Sequence, residues 1–172
     1  TKPLGIGVLT TAHKGGLASP AAMDRAYGLM TTLNKAARDC MADFRVHACT
    51  DVTGFGFLGH LTEMMEGSGT AALVDTAGVD LIPEALELAE MGILPEGMYR
   101  NRSFAQDRVD PGVVPLAVQD LLYDPQTAGG LLISVHPEDA QALFDRLRTA
   151  VPSAQRVGTV TGWSGGPRIT LR

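Results

Sequence analysis

Cysteine is scarce: only Cys40 and Cys49 occur in 172 residues. The pair has neither the spacing of a zinc site nor the density of a disulfide framework, which suits a reducing cytoplasm. Positive charge is also in short supply, with 14 Lys and Arg against 19 Asp and Glu and a net charge of −5. The basic residues are scattered, so a nucleic-acid partner has no electrostatic footprint. No apolar run approaches the roughly 20 residues that a membrane-spanning helix requires. Thr1-Lys2-Pro3-Leu4 carries no signal-peptide pattern. These absences point to a cytoplasmic chain with neither nucleic acid nor membrane as partner. No repeat of 20–50 residues is visible either. An initiator Met is missing, and Thr1-Lys2-Pro3 reads as a cut at a domain boundary, so the expectation is one domain of something larger.

What is present fits one globular domain of ordinary size, 45% hydrophobic and 19% charged. The 20 glycines and 10 prolines punctuate the chain without forming a low-complexity tract. Leu4 to Thr10 reads as a buried strand with glycines where another backbone can approach. Ser19 is a suitable N-cap and Pro20 a first helical position. Apolar residues at Met23, Ala26, Met30, Leu33, Ala37, Cys40 and Met41 then predict one long amphipathic helix from Ala21 to about Phe44. Strands are expected at Val46–Thr50, Thr70–Asp75 and Leu131–Val135. Helices are expected at Phe57–Glu66, Pro83–Met91, Val113–Leu122 and Pro137–Ala150. Gly92 to Pro111 is polar and weakly periodic and reads as a long loop. Ala154–Trp163 and Arg168–Leu171 read as a terminal hairpin. The sum is a mixed α/β (α+β) fold, a mixed β-sheet covered by helices.

The densest chemistry lies in Thr50-Asp51-Val52-Thr53-Gly54-Phe55-Gly56-Phe57-Leu58-Gly59. An acid follows a short β-prone run, and Gly54 and Gly56 lead into a helix start. Glycines let backbone N–H groups approach an anion, the helix N-terminus adds positive potential, and a carboxylate is the hard oxygen ligand that Mg²⁺ prefers. Asp51 could equally cap the helix that follows. Period-2 geometry places His47, Cys49 and Asp51 on one side of the strand. Cys49 has no histidine at a spacing that would make it a nucleophile and reads as structural, and Cys40 as core. His47 and His60 have no third ligand in register, so His60 is expected to pack or hydrogen-bond within its helix. Polar Asp124, Gln126 and Thr127 between two apolar segments suggest a structured bend more than a ligand contact. His13 and Lys14 read as solvated loop residues.

Thr50 to His60 resembles the signature of selenophosphate synthetase (selenide, water dikinase). Thr1-Lys2-Pro3-Leu4-Gly5-Ile6-Gly7 is similar to the segment opening that family's C-terminal domain. Asp124-Pro125-Gln126-Thr127-Ala128-Gly129-Gly130 resembles its late Asp-Pro-Gln-Thr-Ser-Gly-Gly run, with Ala128 at the place of the Ser. Tyr99-Arg100-Asn101 falls where the family has an Arg-Asn element. The four matches keep family order across essentially the whole chain. The resemblance implies the C-terminal domain of the two-domain fold shared with aminoimidazole ribonucleotide synthetase, thiamine monophosphate kinase and the hydrogenase maturation dehydratase. It implies that ATP, selenide and water give selenophosphate, AMP and orthophosphate, in a homodimer when full length. It also implies that Asp51 joins acids of the N-terminal domain in holding Mg²⁺ on the ATP phosphates, with Thr50, Thr53, Gly54 and Gly56 beside the nucleotide. The catalytic Cys or selenocysteine and its Lys belong to an N-terminal segment absent from this sequence, so the 172 residues alone are expected to fold but to be inert. A sibling ATP-dependent synthetase or kinase, or a non-catalytic phosphate-binding module, are the alternatives.

Overall fold

Polar side chains distant in sequence decide where several helices begin and end. The structure, a computed structural model, describes residues 1–172. Helix α1 spans Ile6–Lys14, where a strand was expected. Leu4 alone keeps a β-bridge, to Leu81. The helix is set up from 120 residues away: the Gly5 and Ile6 N–H groups donate to Gln126 Oε1 at 3.3 Å, and that of Gly7 to Asp124 Oδ2 at 2.9 Å. These bonds occupy the free donors of the first turn, which no local cap supplies. His13 and Lys14 lie in its last turn, exposed as expected but not in a loop.

The expected long helix is two helices, α2 (Pro20–Thr31) and α3 (Lys35–Met41). Four bonds from three side chains accompany the break. Thr32 Oγ1 donates to the Gly28 carbonyl at 2.7 Å, Lys2 Nζ to the Leu29 and Thr32 carbonyls at 2.8 and 2.7 Å, and Asn34 Nδ2 to the Gly129 carbonyl at 2.9 Å. The Leu29 and Thr32 carbonyls, which a continuous helix would use internally, are thus engaged by Lys2. At the other end of α2, Ser19 Oγ accepts from Ala22 N at 3.1 Å and donates to Glu84 Oε2 at 2.5 Å. Glu84 opens helix α5 (Pro83–Glu90), so this cap also joins two helices. Ser19→Ala should cost about 1 kcal/mol of unfolding free energy in urea titration.

Strand β1 (Val46–Asp51) pairs antiparallel with β4 (Leu131–Val135) in a two-stranded sheet, Asp51 opposite Leu131. Helix α4 (Gly56–Ser68) ends at left-handed Gly69 and leads into β2 (Thr70–Val74). The four-stranded second sheet has the order β3-β6-β2-β5, with β3 Val109–Asp110, β5 Gly158–Gly162 and β6 Ile169–Leu171. It is mixed: β2 is antiparallel to β5 and parallel to β6. The expected terminal hairpin therefore does not form, because β2 lies between its two strands.

The expected loop from Gly92 to Pro111 contains helix α6 (Glu96–Ala105), a 3₁₀ turn and β3. Met98, Asn101 and Ala105 are its buried residues, at helical spacing. Helix α7 (Leu116–Tyr123) follows Pro115, and α8 (Ala140–Ala150) follows a 3₁₀ turn at Pro137–Asp139. A main core joins α4, α6 and the four-stranded sheet through Phe57, Leu58, Met65, Met98 and Ile169. A second lies among α1, α2 and α5, and a third packs Ala37 and Cys40 of α3 on Leu143 and Leu147 of α8.

Candidate functional site

Strand β1 ends in a carboxylate with nothing to hold it. Asp51 is exposed, and its side chain has no hydrogen bond or ion pair within the chain. It does not cap α4, whose N-cap is Phe55 and has no side-chain cap. Thr50 beside it donates from Oγ1 to the Asp51 carbonyl at 3.1 Å. The backbone there is fixed: Val52 N donates to the Gly130 carbonyl at 2.8 Å, extending the β1–β4 ladder past Asp51.

The glycine turn follows. The Thr53 carbonyl accepts from Gly56 N and Gln126 N, both at 3.0 Å. Thr53 Oγ1 meets His60 Nε2 at 3.3 Å, and His60 Nδ1 meets Glu63 at 3.0 Å. His60 is buried and bonded within its helix and to the turn, as expected. Asn101, also buried, donates from Nδ2 to the Gly54 and Tyr123 carbonyls, both at 2.9 Å. It pins the turn to the end of α7. The two glycines differ. Gly56 has φ +72° and a Cβ there would stand 2.6 Å from the Tyr123 carbonyl oxygen, whereas nothing lies within 4 Å of one at Gly54. Gly56 is a packing requirement; Gly54 faces open space.

Asp51, Thr50 and Cys49 line an open basin of about 610 Å³ with Asn34, Lys35, Arg38 and Met41 of the α3 region and Leu131 of β4. Cys49, expected to be structural and not a nucleophile, is exposed, because the outward face of β1 is uncovered. Partial desolvation and the Asp51 charge push its thiol above the ordinary value, so it keeps its proton near neutral pH. That removes the reactive thiolate. Cys40 is core, as expected. Lys35 and Arg38 are both ion-paired to Asp39, the latter at 2.9 Å. The Asp39 carboxyl is held below its usual value first by its hydrogen bond to Lys35.

No cluster of three or more His, Cys, Asp or Glu side chains able to hold a metal forms anywhere in the chain. Asp51 fits Mg²⁺ as one oxygen ligand only, in a shell that phosphate oxygens, water and other acids would have to complete. The late Asp-Pro-Gln-Thr run is a structured bend: Asp124 and Gln126 are buried and serve the N-terminus of α1. Sequence reasoning matched Asn101 to the family's Arg-Asn element without foreseeing that it pins the turn, and it did not single out Lys35 or Arg38. The spacing of Lys35 and Arg38, three apart on a helix just before the Asp51 strand, was the available signal.

Residues 1–169 match the family model described as AIR synthase related protein, C-terminal domain. A selenide, water dikinase of Treponema denticola is 50% identical over 151 residues, which are 88% of this chain and 43% of that protein. A selenide, water dikinase of Pelobacter propionicus is 51% identical over 162 residues, 93% of this chain and 47% of that protein. The chain thus spans about half the length of the curated relatives it matches. Among solved structures, the E. coli hydrogenase maturation protein HypE superposes with a TM-score of 0.67 at 15% identity, covering 99% of this chain and 43% of that one. A HypE solved in complex with ATP gives 0.57 at 18%, covering 95% and 41%. At such identities the structures speak to the fold alone. No helix is long and apolar enough to cross a membrane. With the family model matched from Thr1 to Ile169, the chain belongs to the AIR synthase related proteins, in the part that forms their C-terminal domain.

Proposed function

We propose that this chain is the C-terminal domain of a selenophosphate synthetase, which turns ATP, selenide and water into selenophosphate, AMP and orthophosphate. The observation that carries the proposal is the identity of about half its residues with two selenide, water dikinases. The geometry supports it through Asp51, an exposed acid without a partner at the end of a well-tethered strand. Asp51 would give one ligand to Mg²⁺, which when bound offsets charge on the triphosphate, the main need in phosphoryl transfer. Thr50 and Thr53 flank it, Gly54 leaves room for close approach, and Gly56 and Asn101 hold the turn in shape. The remaining acids, the nucleophile and most of the nucleotide site would come from an N-terminal domain, with selenide as co-substrate and a homodimer in the cytoplasm as the working form.

The test is the full-length protein with ATP, Mg²⁺ and selenide, followed by phosphorus NMR for selenophosphate, AMP and orthophosphate. Thiamine monophosphate and an aminoimidazole precursor serve as competing substrates. Selenium-dependent AMP formation is the expected result; turnover of either competitor instead would refute the reading. Asp51→Asn should lower Mg-dependent turnover about tenfold or more, the loss of roughly 1.4 kcal/mol of transition-state stabilisation. Unchanged turnover would end the metal-ligand role. The 172 residues alone should hydrolyse no ATP with selenide.

A further inference from the structure

The basin beside Asp51 is lined by two bases and one acid that do not pair with each other. Lys35 and Arg38 project from one side of α3, with side chains 68% and 63% exposed. Both are paired with the single carboxylate of Asp39, which leaves this wall one positive charge in excess. The facing wall carries Asp51, with no partner at all. Two basic heads and an acid therefore line one basin, and neither base pairs with that acid.

The walls are fixed in position. Asn34 bonds to the Gly129 carbonyl at the foot of β4. Ala37 and Cys40 bury the opposite face of α3 against Leu143 and Leu147 of α8. The break between α2 and α3, held by Thr32, Lys2 and Asn34, sets α3 apart from the line of α2. The 610 Å³ of open space has room for a triphosphate group.

We propose that the α3–β1 basin is a polyphosphate subsite, in which Lys35 and Arg38 hold phosphate oxygens while Asp51 faces the cation those oxygens carry. A magnesium polyphosphate has the complementary pattern, positive beside the acid and negative beside the bases. Arg38 brings a planar fork that can take two oxygens at once, and Lys35 a mobile point charge. Asp39 is the competitor: it holds both bases until phosphate displaces it. The proposal rests on the phosphate-handling reading of Asp51, but not on selenide as the second substrate.

The test measures binding to the full-length protein by calorimetry, with magnesium tripolyphosphate as the probe and adenosine as the phosphate-free control. Lys35→Ala/Arg38→Ala should weaken tripolyphosphate binding about tenfold or more and leave adenosine unchanged. Lys35→Arg with Arg38 intact should stay within about threefold of wild type. Asp39→Asn should tighten binding several-fold by freeing both bases, whereas a purely structural role for the ion pairs would weaken it or leave it unchanged. Thermal unfolding of each variant establishes that it is folded. Wild-type protein that fails to bind the probe, a double variant that binds it equally, or weaker or unchanged binding by Asp39→Asn would each overturn the subsite. Binding that behaves as described in a protein that makes no selenophosphate would leave the subsite standing and refute the proposed reaction.

Discussion

Gly56→Ala is expected to lower the unfolding free energy by about 3 kcal/mol or more, while Gly54→Ala leaves it within about 1 kcal/mol of wild type. Both glycines belong to the turn after Asp51, and from composition alone they are interchangeable. Their surroundings differ. At Gly56 the backbone is left-handed, and the added Cβ would meet the Tyr123 carbonyl oxygen at 2.6 Å. That carbonyl cannot yield cheaply, because it also accepts from the buried Asn101 amide. Left-handed strain of roughly 1–2 kcal/mol and a backbone overlap of similar cost therefore add. At Gly54 the new methyl enters open space, and the alanine removes some freedom from the unfolded chain. Urea unfolding of the 172 residues, followed by circular dichroism, measures both. Equal losses would mean that the turn does not pack on the end of α7. In the full-length protein, a Gly54→Ala variant that stays folded yet binds nucleotide less tightly would identify Gly54 as the position where ligand approaches the turn.

Elements whose signals are local were legible: the Ser19–Pro20 start, β1, α4 with its terminal Gly69, β2, α5 and α8. Periodicity and capping operate within a few residues, and there the sequence is self-sufficient. Failures occurred where a distant residue decides. Leu4-Gly5-Ile6-Gly7-Val8-Leu9 suits a buried strand as well as a buried helix, and Asp124 and Gln126 settle it from the far end of the chain. Nothing between Ala21 and Phe44 announces that Lys2 and the Gly129 carbonyl will interrupt the helix. Helix α6 escaped because one of its three buried residues is Asn101, which apolar periodicity does not count. The terminal strands looked like a hairpin because sequence neighbours usually pair, and the insertion of β2 is a long-range choice. In the site, Asp51 stood out as an acid in a strand–glycine–helix context. Lys35 and Arg38 carry no such local mark, and only the fold sets them in the same basin as Asp51.

The last expectation concerns Asp124, whose carboxylate anchors α1 and is fully buried. Burial pushes this carboxyl up to about 7, against opposing hydrogen bonds from Gln126 and the Gly7 and Val8 N–H groups. One oxygen, Oδ1, has no partner, so a proton there relieves a buried charge without breaking the bond that Oδ2 accepts. In the unfolded chain the group titrates near 3.9. Between about pH 4 and pH 7 the folded state therefore holds more proton than the unfolded state, and stability falls as pH rises through that window. Below it the contribution is fully present; above about pH 7 it is lost and the dependence flattens. A gap of this size corresponds to an upper bound on the order of 4 kcal/mol. Asp39 and Asp139, held low by their hydrogen bonds to Lys35 and Arg45, act in the opposite direction only below about pH 4, outside this window. The difference between wild type and Asp124→Asn cancels every other titrating group, since the amide does not titrate. Urea midpoints from about pH 4.5 to pH 8 should show the wild type losing about 2–3 kcal/mol relative to the variant, nearly all of it below pH 7.5. A difference that stays flat would mean that Asp124 is charged throughout, and that the first turn of α1 stabilises its anion far better than the Gly7 and Val8 N–H groups and one amide can.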